Sequence, residues 1–204
     1  MDKNGRLIVF EGGDNVGKST IIKTLVEDLE SKGQVVSQLA FPGNQPHTLG
    51  KWVYDYHHAP ANSKANQTSL QMLHVAAHID CIENQIVPFL KDGQLVVLDR
   101  FWWSTWVYGI VGGVSEQNLK RMISIEKNYW GEILPSCVFW LRRRKAEIDP
   151  FQQKVCGEYR RLTEMESGNH PVFEICNEST VDAALSNIVS HLTSLDLMSP
   201  TKSE

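Results

Sequence analysis

The sequence predicts an α/β protein in which a parallel β-sheet is flanked by helices, and three observations point that way. Short apolar runs rich in β-branched residues recur along the chain, each about the length of a strand buried on both faces. Between them lie stretches whose apolar residues return every three or four positions, the period of an amphipathic helix. The first run passes through a glycine-rich turn straight into the first such stretch. Strands alternating with helices of this length need crossover connections, hence a parallel sheet covered on both faces.

The elements follow in order. Leu7-Ile8-Val9-Phe10 predicts the first strand, and Ser19 to Ser31 a helix whose apolar positions are Ile21, Ile22, Leu25, Val26 and Leu29, with Gly33 as its stop. A strand is expected around Val35 to Ala40, a helix from about Thr48 to His57, and one long helix from about Gln67 to Leu90, closed by Asp92-Gly93. Leu95-Val96-Val97-Leu98 is the next buried strand, followed by a helical stretch from about Glu116 to Tyr129. Val138-Phe139-Trp140-Leu141, a helix near Phe151 to Glu166, the strand Val172 to Cys176 and an amphipathic helix from Thr180 to Leu195 complete the series. No repeat, low-complexity segment or linker divides it, so residues 1–195 are expected to form one domain. Residues 196–204, polar and Pro-containing at their end, are expected to fray as a tail.

Composition bounds the function. The chain has 204 residues, 42% of them hydrophobic and 22% charged, enough for one substantial core. A net charge of −4 argues against a surface built wholly to hold nucleic acid. The four cysteines lie far apart, which predicts reduced thiols and no zinc or redox pair. No window reaches the ~20 apolar residues of a membrane span, so a cytoplasmic location without membrane contact is expected.

Gly12-Gly13-Asp14-Asn15-Val16-Gly17-Lys18-Ser19 has the form G-x-x-x-x-G-K-[ST], and it stands where that pattern has a mechanism, between a buried strand and a helix. Glycines let the backbone curl until successive N–H groups face phosphate oxygens, and the helix N-terminus adds its positive dipole end. Gly12, Gly13, Asn15, Val16, Gly17, Lys18, Ser19 and Thr20 are therefore the expected phosphate cradle for ATP. Lys18 would neutralise the β- and γ-phosphates and Ser19 would hold Mg²⁺. A second strand ends in Asp99-Arg100, and in a parallel sheet the carboxyl ends of strands face the ligand crevice. There Asp99 would orient Mg²⁺ through water, and Arg100 would clamp an acceptor phosphate or stabilise charge in transfer.

Phe10 to Thr20 resembles the P-loop of the thymidylate kinase family almost position for position, Phe41-Pro42-Gly43 resembles that family's next loop, and Asp99-Arg100-Phe101 with Ser104 and Tyr108 resembles its acceptor segment. The likeness runs loosely from about residue 5 to 195. It implies a five-stranded, three-layer P-loop kinase fold, usually a homodimer, that moves a phosphoryl group from ATP to a pyrimidine deoxynucleoside monophosphate. By the same resemblance Asp14 lies near the acceptor sugar, Arg100 contacts the acceptor phosphate, and Tyr108 packs against the deoxyribose.

Departures from the family pattern concern the base and the lid. His74 and His78 stand where the family usually has a Phe that stacks on the base and an Arg that reads a base carbonyl. Four residues apart, they share one helical face, so base contact, polar packing and half of a metal site are all open. Phe101-Trp102-Trp103-Ser104-Thr105-Trp106 concentrates three of the chain's six tryptophans. Trp103 with Ser104 is expected to sandwich and hydrogen-bond a flat base, although any one of these rings has an equal role open to it in the core or a dimer contact. Asn15 replaces a P-loop arginine of some members, and the basic run Arg142 to Lys145, within residues 142–150, looks like a shortened lid with Arg143 and Arg144 as donors. Asn177 follows the last strand, where this fold commonly borders adenine. Two other readings remain: a modified acceptor such as a hydroxymethylated pyrimidine within DNA, and an ATP-binding regulatory protein without small-molecule transfer.

Overall fold

The computed structural model describes residues 5–43, 45–60, 65–144, 149–178 and 180–198. Five parallel strands lie in the order β2-β3-β1-β4-β5: β1 is Arg6–Glu11, β2 Val36–Ala40, β3 Leu95–Asp99, β4 Cys137–Arg142 and β5 Val172–Cys176. The central strand is apolar on both faces, and the pleat divides its side chains. Ile8 and Phe10 pack with α1 (Lys18–Ser31) and α8 (Val181–Ser194), through Ile21, Leu25, Leu29, Ile188 and Leu192. Leu7 and Val9 face the larger layer, built from α3 (Gln67–Cys81), α5 (Trp102–Val111), α6 (Glu116–Trp130) and α7 (Pro150–Glu166). The register sets Phe10 beside Asp99 on one neighbour and Phe139 on the other. The loops that leave β1, β3 and β4 therefore emerge at one edge.

α2 (Leu49–His57) packs on α3, capped by the Thr48 hydroxyl, which accepts from the Lys51 amide. The long helix expected over 67–90 is interrupted: α3 passes into a π-helical turn, Ile82–Ile86, and then α4, Val87–Lys91. Pro88 lacks the amide that an unbroken α-helix would direct back one turn, and the Val87 amide bonds instead to the Ile82 carbonyl. α5 has no counterpart among the expected elements. Seven of its ten residues, Trp102 to Val107 and Gly109, are buried, so it carries no polar stripe from which a helical period could be read.

The last described residues, which fall within the stretch expected to fray, are packed. Leu197 is buried, its carbonyl accepts from Gln34 Nε2 at 3.3 Å, and the Asp196 carbonyl accepts from Arg6 Nη1 at 2.7 Å. Residues 199–204 lie outside the described residues. Among the described residues no helix is long and apolar enough to cross a membrane.

Candidate active site

The turn after β1 wraps the N-terminus of α1. Gly12 (φ 144°) and Gly17 (φ 93°) occupy backbone regions that side chains disfavour. A Cβ at Gly12 would strike the Leu141 carbonyl oxygen, and one at Gly17 the Asn177 amide nitrogen. Lys18 folds back over the loop, donating from Nζ to the Gly12 and Gly13 carbonyls at 3.0 and 2.9 Å. Burial lowers its pKa to about 8, with the Arg100 charge acting in the same direction and Asp99, Glu11 and Asp14 opposing. Asn177 is buried and donates to the Val16 carbonyl at 2.8 Å. Its side chain thereby braces the phosphate loop. Asn15, Ser19 and Thr20 are exposed on the loop's outer side.

Arg100 joins this loop to α5. Its backbone has φ 75° and its amide bonds to the Phe10 carbonyl at 2.8 Å. The guanidinium reaches Asp14 Oδ1 at 2.6 Å and Ser104 Oγ at 3.1 Å, and stands 5.2 Å over the Tyr108 ring. Beneath it lies a residue that sequence reading missed. Glu11, the last residue of β1, is fully buried. Its Oε1 accepts from the amides of Phe101 and Ser104 at 2.7 and 3.1 Å, and its Oε2 from the Ser104 and Tyr159 hydroxyls at 2.8 and 2.9 Å. Phe101 has no side chain able to cap α5, so Glu11 caps it from the sheet. Desolvation raises the Glu11 pKa against the opposing pull of Arg100, Ser104, Tyr159 and the Phe101 amide.

A cavity of about 600 Å³ opens beside Arg100. Its walls include eight of the nine expected acceptor residues: Asp14, Phe41, Pro42, His74, His78, Arg100, Ser104 and Tyr108. The ninth, Trp103, is corrected by the structure: it has no exposed surface and packs edge-on to Trp102, with ring centroids 6.2 Å apart, so it belongs to the core. His78 stacks flat on Phe41, centroids 4.0 Å apart, and its Nδ1 lies 3.0 Å from the buried Glu126 carboxylate, so it holds the aromatic wall in place. His74 faces the same space, and burial with the nearby His78, His57 and Arg100 lowers its pKa to about 3. Among the described residues no group of three His, Cys, Asp or Glu side chains is placed to hold a metal. Gln67, Gln71 and Thr105 also line the cavity and went unread. Residues 67, 71, 74 and 78 share one face of α3 by helical spacing, a signal already present in the sequence.

Ser19 and Asp99 line a second cavity, about 250 Å³, between the ends of β2 and β3. Asp99 Oδ1 is buried there with no hydrogen-bond partner among the described residues. A carboxylate oxygen left bare beside a serine hydroxyl fits a hard, oxygen-seeking cation such as Mg²⁺. Arg143 borders a small hollow with Gly13, Gln152 and Tyr159, close to the phosphate loop. Arg142 is paired with Glu174, and Arg144 donates its amide to Glu178 Oε1 at 2.6 Å while its side chain is exposed. The rest of the expected lid, residues 145–148, lies outside the described residues.

Comparison with known proteins agrees with this arrangement. A family profile described as thymidylate kinase matches residues 10–169. The chain is 30% identical over 204 residues to a thymidylate kinase of Chlamydia trachomatis serovar L2, covering 89% of this chain and 97% of that one. To the thymidylate kinase of Chlamydia abortus it is 36% identical over 171 residues, 77% of this chain and 78% of the relative. The crystal structure of thymidylate kinase from Ehrlichia chaffeensis superposes with a TM-score of 0.77 at 20% identity, over 93% of this chain and 99% of that one, a likeness of fold. With a phosphate loop, a half-buried Asp–Arg strand end and a family match spanning most of its length, the chain belongs to the thymidylate kinase family.

Proposed function

We propose that this chain transfers the γ-phosphoryl group of ATP to the phosphate of a pyrimidine deoxynucleoside monophosphate of the dTMP type, giving ADP and the nucleoside diphosphate. The observation that carries the reading is the Asp14–Arg100 pair, which stands between the phosphate loop and the 600 Å³ cavity. That volume lies within the roughly 300–1,000 Å³ of small-molecule sites. An acceptor phosphate entering the cavity meets Arg100, whose fork suits two phosphate oxygens once Asp14 turns to the sugar. The donor triphosphate lies along the amides of residues 12–20 and draws Lys18 from the Gly12 and Gly13 carbonyls to its own oxygens.

A monophosphate oxygen is already a competent nucleophile, so the chain's residues need only align and neutralise. Lys18 and Arg100 flank the line of transfer, and Arg143, beside Gly13, is the lid residue nearest the phosphates. Ser19 and Asp99 are the residues that would hold Mg²⁺, and the ion would supply further neutralisation of the donor phosphates. The reading of an acceptor within DNA and that of a regulatory ATP binder gain no support from the comparisons. The test is ADP release with dTMP as the sole acceptor, alongside double-stranded DNA and a no-acceptor control. Formation of dTDP is expected; transfer to DNA alone, or ATP binding without transfer to any monophosphate, would overturn the proposal. Dissolved nucleotides as substrates also favour a cytoplasmic location.

A homodimer belongs to the same proposal. The neighbouring helices α3 and α6 leave Met72, Leu73, Ile125 and Tyr129 exposed at 37–45%, and large apolar side chains grouped on adjoining helices favour a covered face. Sedimentation velocity at micromolar concentration should give a dimer, with Leu73→Glu shifted to monomer. A monomeric wild type would remove the dimer from the reading.

A further inference from the structure

The part of the acceptor cavity that α3 and α5 line carries polar side chains, none of them permanently charged. Gln71 is only 4% exposed, yet the amide has no hydrogen bond to the rest of the protein among the described residues. Thr105 is 3% exposed, lines the same space, and its Oγ1 has no partner. His74 lies one turn along α3 from Gln71 and is neutral at physiological pH, since burial among other cationic or potentially cationic groups keeps the proton off. Gln67 lies one turn before Gln71 on the same wall.

Buried polar groups left without partners in the protein are usually satisfied by something else, here a ligand edge. What these four side chains share is that each offers a donor or an acceptor as required. A carboxamide turns over to exchange its oxygen and nitrogen, a hydroxyl rotates, and a neutral imidazole has two tautomers. Among the described residues that line the cavity, the permanently charged ones are Asp14 and Arg100, and these are bonded to each other. A guanidinium would present donors only and so prefer a ring carbonyl. The 4-oxo pyrimidines thymine and uracil show a carbonyl oxygen and a ring N–H on this edge, whereas cytosine shows an amino group and a bare ring nitrogen, the inverse pattern.

We infer that the acceptor site, built from reversible hydrogen-bonding groups around Gln71, Thr105 and His74, takes 4-amino as well as 4-oxo pyrimidines, so the enzyme phosphorylates dCMP alongside dTMP. The inference rests on the kinase reading above and deepens it. The transfer is unchanged: the bond between the γ-phosphorus and the β,γ-bridging oxygen of ATP breaks, an acceptor phosphate oxygen bonds to that phosphorus, and ADP leaves. A fixed hydrogen-bonding site rejects the mismatched edge by about 10⁴-fold, because its own buried groups are left unpaired. A site that can invert its pattern escapes that penalty.

The experiment compares kcat/KM for dTMP, dUMP and dCMP at saturating ATP in the wild type, Gln71→Leu and His74→Arg, each checked for folding by its thermal transition. The wild type should use dCMP within about tenfold of dTMP. Gln71→Leu should lower both in parallel, because it removes the pairing group without favouring either edge. His74→Arg adds a donor-only group and should raise the dTMP-to-dCMP ratio by at least about tenfold. Brisk turnover of dTMP with dCMP weaker by about 10³ or more overturns the inference and leaves the kinase reading intact. A Gln71→Leu variant that loses dTMP alone overturns it too. Turnover of neither monophosphate removes the kinase reading and this inference together.

Discussion

Lys18→Met is expected to lower the rate of phosphoryl transfer by at least about a thousandfold while leaving the protein folded. The methionine keeps the unbranched stem within the loop and deletes only the charge. Three considerations set the size of the effect. Negative charge spreads over the transferring group's oxygens in the transition state, and the cradle's other donors are backbone amides with partial charges. Arg100 is committed to Asp14 and Ser104 at 2.6 and 3.1 Å, and it meets the Gly12 carbonyl that Lys18 bonds only at 3.5 Å. Among the described residues Lys18 bonds to two carbonyls, so the variant loses two modest hydrogen bonds.

The pH dependence separates lost catalysis from lost stability. Folding lowers the Lys18 pKa from an ordinary 10.5 to about 8, mainly by burial. Its charged form thus opposes folding below pH 8, by roughly 3 kcal/mol, and that penalty disappears as pH rises from about 8 to 10.5. The wild type should gain thermal stability over this window by an increment that Lys18→Met lacks. A bound triphosphate would draw the ammonium back to full charge, so ATP binding near pH 8 should take up a proton, measurable calorimetrically in buffers of different ionisation enthalpy. Wild-type turnover in Lys18→Met, or ATP binding without proton uptake, would remove Lys18 from the cradle.

How much of this was legible beforehand depended on whether a residue's task was local. The phosphate loop announces itself because its glycines, lysine and serine act within one turn, and the strands do so because burial on both faces leaves only apolar residues. The order β2-β3-β1-β4-β5 is carried by contacts between distant segments and could not be read off the chain. Trp103 was misplaced for a related reason. In α5 nearly every side chain is buried, so no polar and apolar stripe separates the wall of the cavity, Ser104, Thr105 and Tyr108, from the core side, Trp102, Trp103 and Trp106. Asn177 follows a strand end, and its bond to the Val16 carbonyl joins segments far apart in the chain, which the sequence does not show. Gln71 was different: its helical spacing from His74 and His78 was visible in the sequence.

Glu11 gives the second large effect, and its two obvious replacements should behave oppositely. Glu11→Ala strands the Phe101 amide in a dry interior, leaves the Ser104 amide with the Phe101 carbonyl alone and the Tyr159 hydroxyl with Ser104, and opens a void between β1 and α5. A loss of about 3–5 kcal/mol is expected from the unpaired buried amide together with the cavity, seen as a lower midpoint in urea. Glu11→Gln can satisfy the same four partners. Its oxygen accepts from both amides, and its NH₂ donates to the two hydroxyls, which accept as readily as they donate. Because desolvation raises the carboxyl pKa of the wild type above 4.5, the stabilising contribution of the protonated form is complete below pH 4.5 and is lost as pH rises through the folded-state value. The glutamine variant never ionises, so its stability should fall less than that of the wild type across that rise. Acceptor binding should still suffer in the alanine variant, because Arg100, Ser104 and Thr105 all take their positions from the start of α5. Its KM for dTMP should therefore rise more than its KM for ATP. An alanine variant as stable as the wild type would mean that α5 is held by packing alone, and the carboxylate would then have to be assigned to the electrostatics of Arg100.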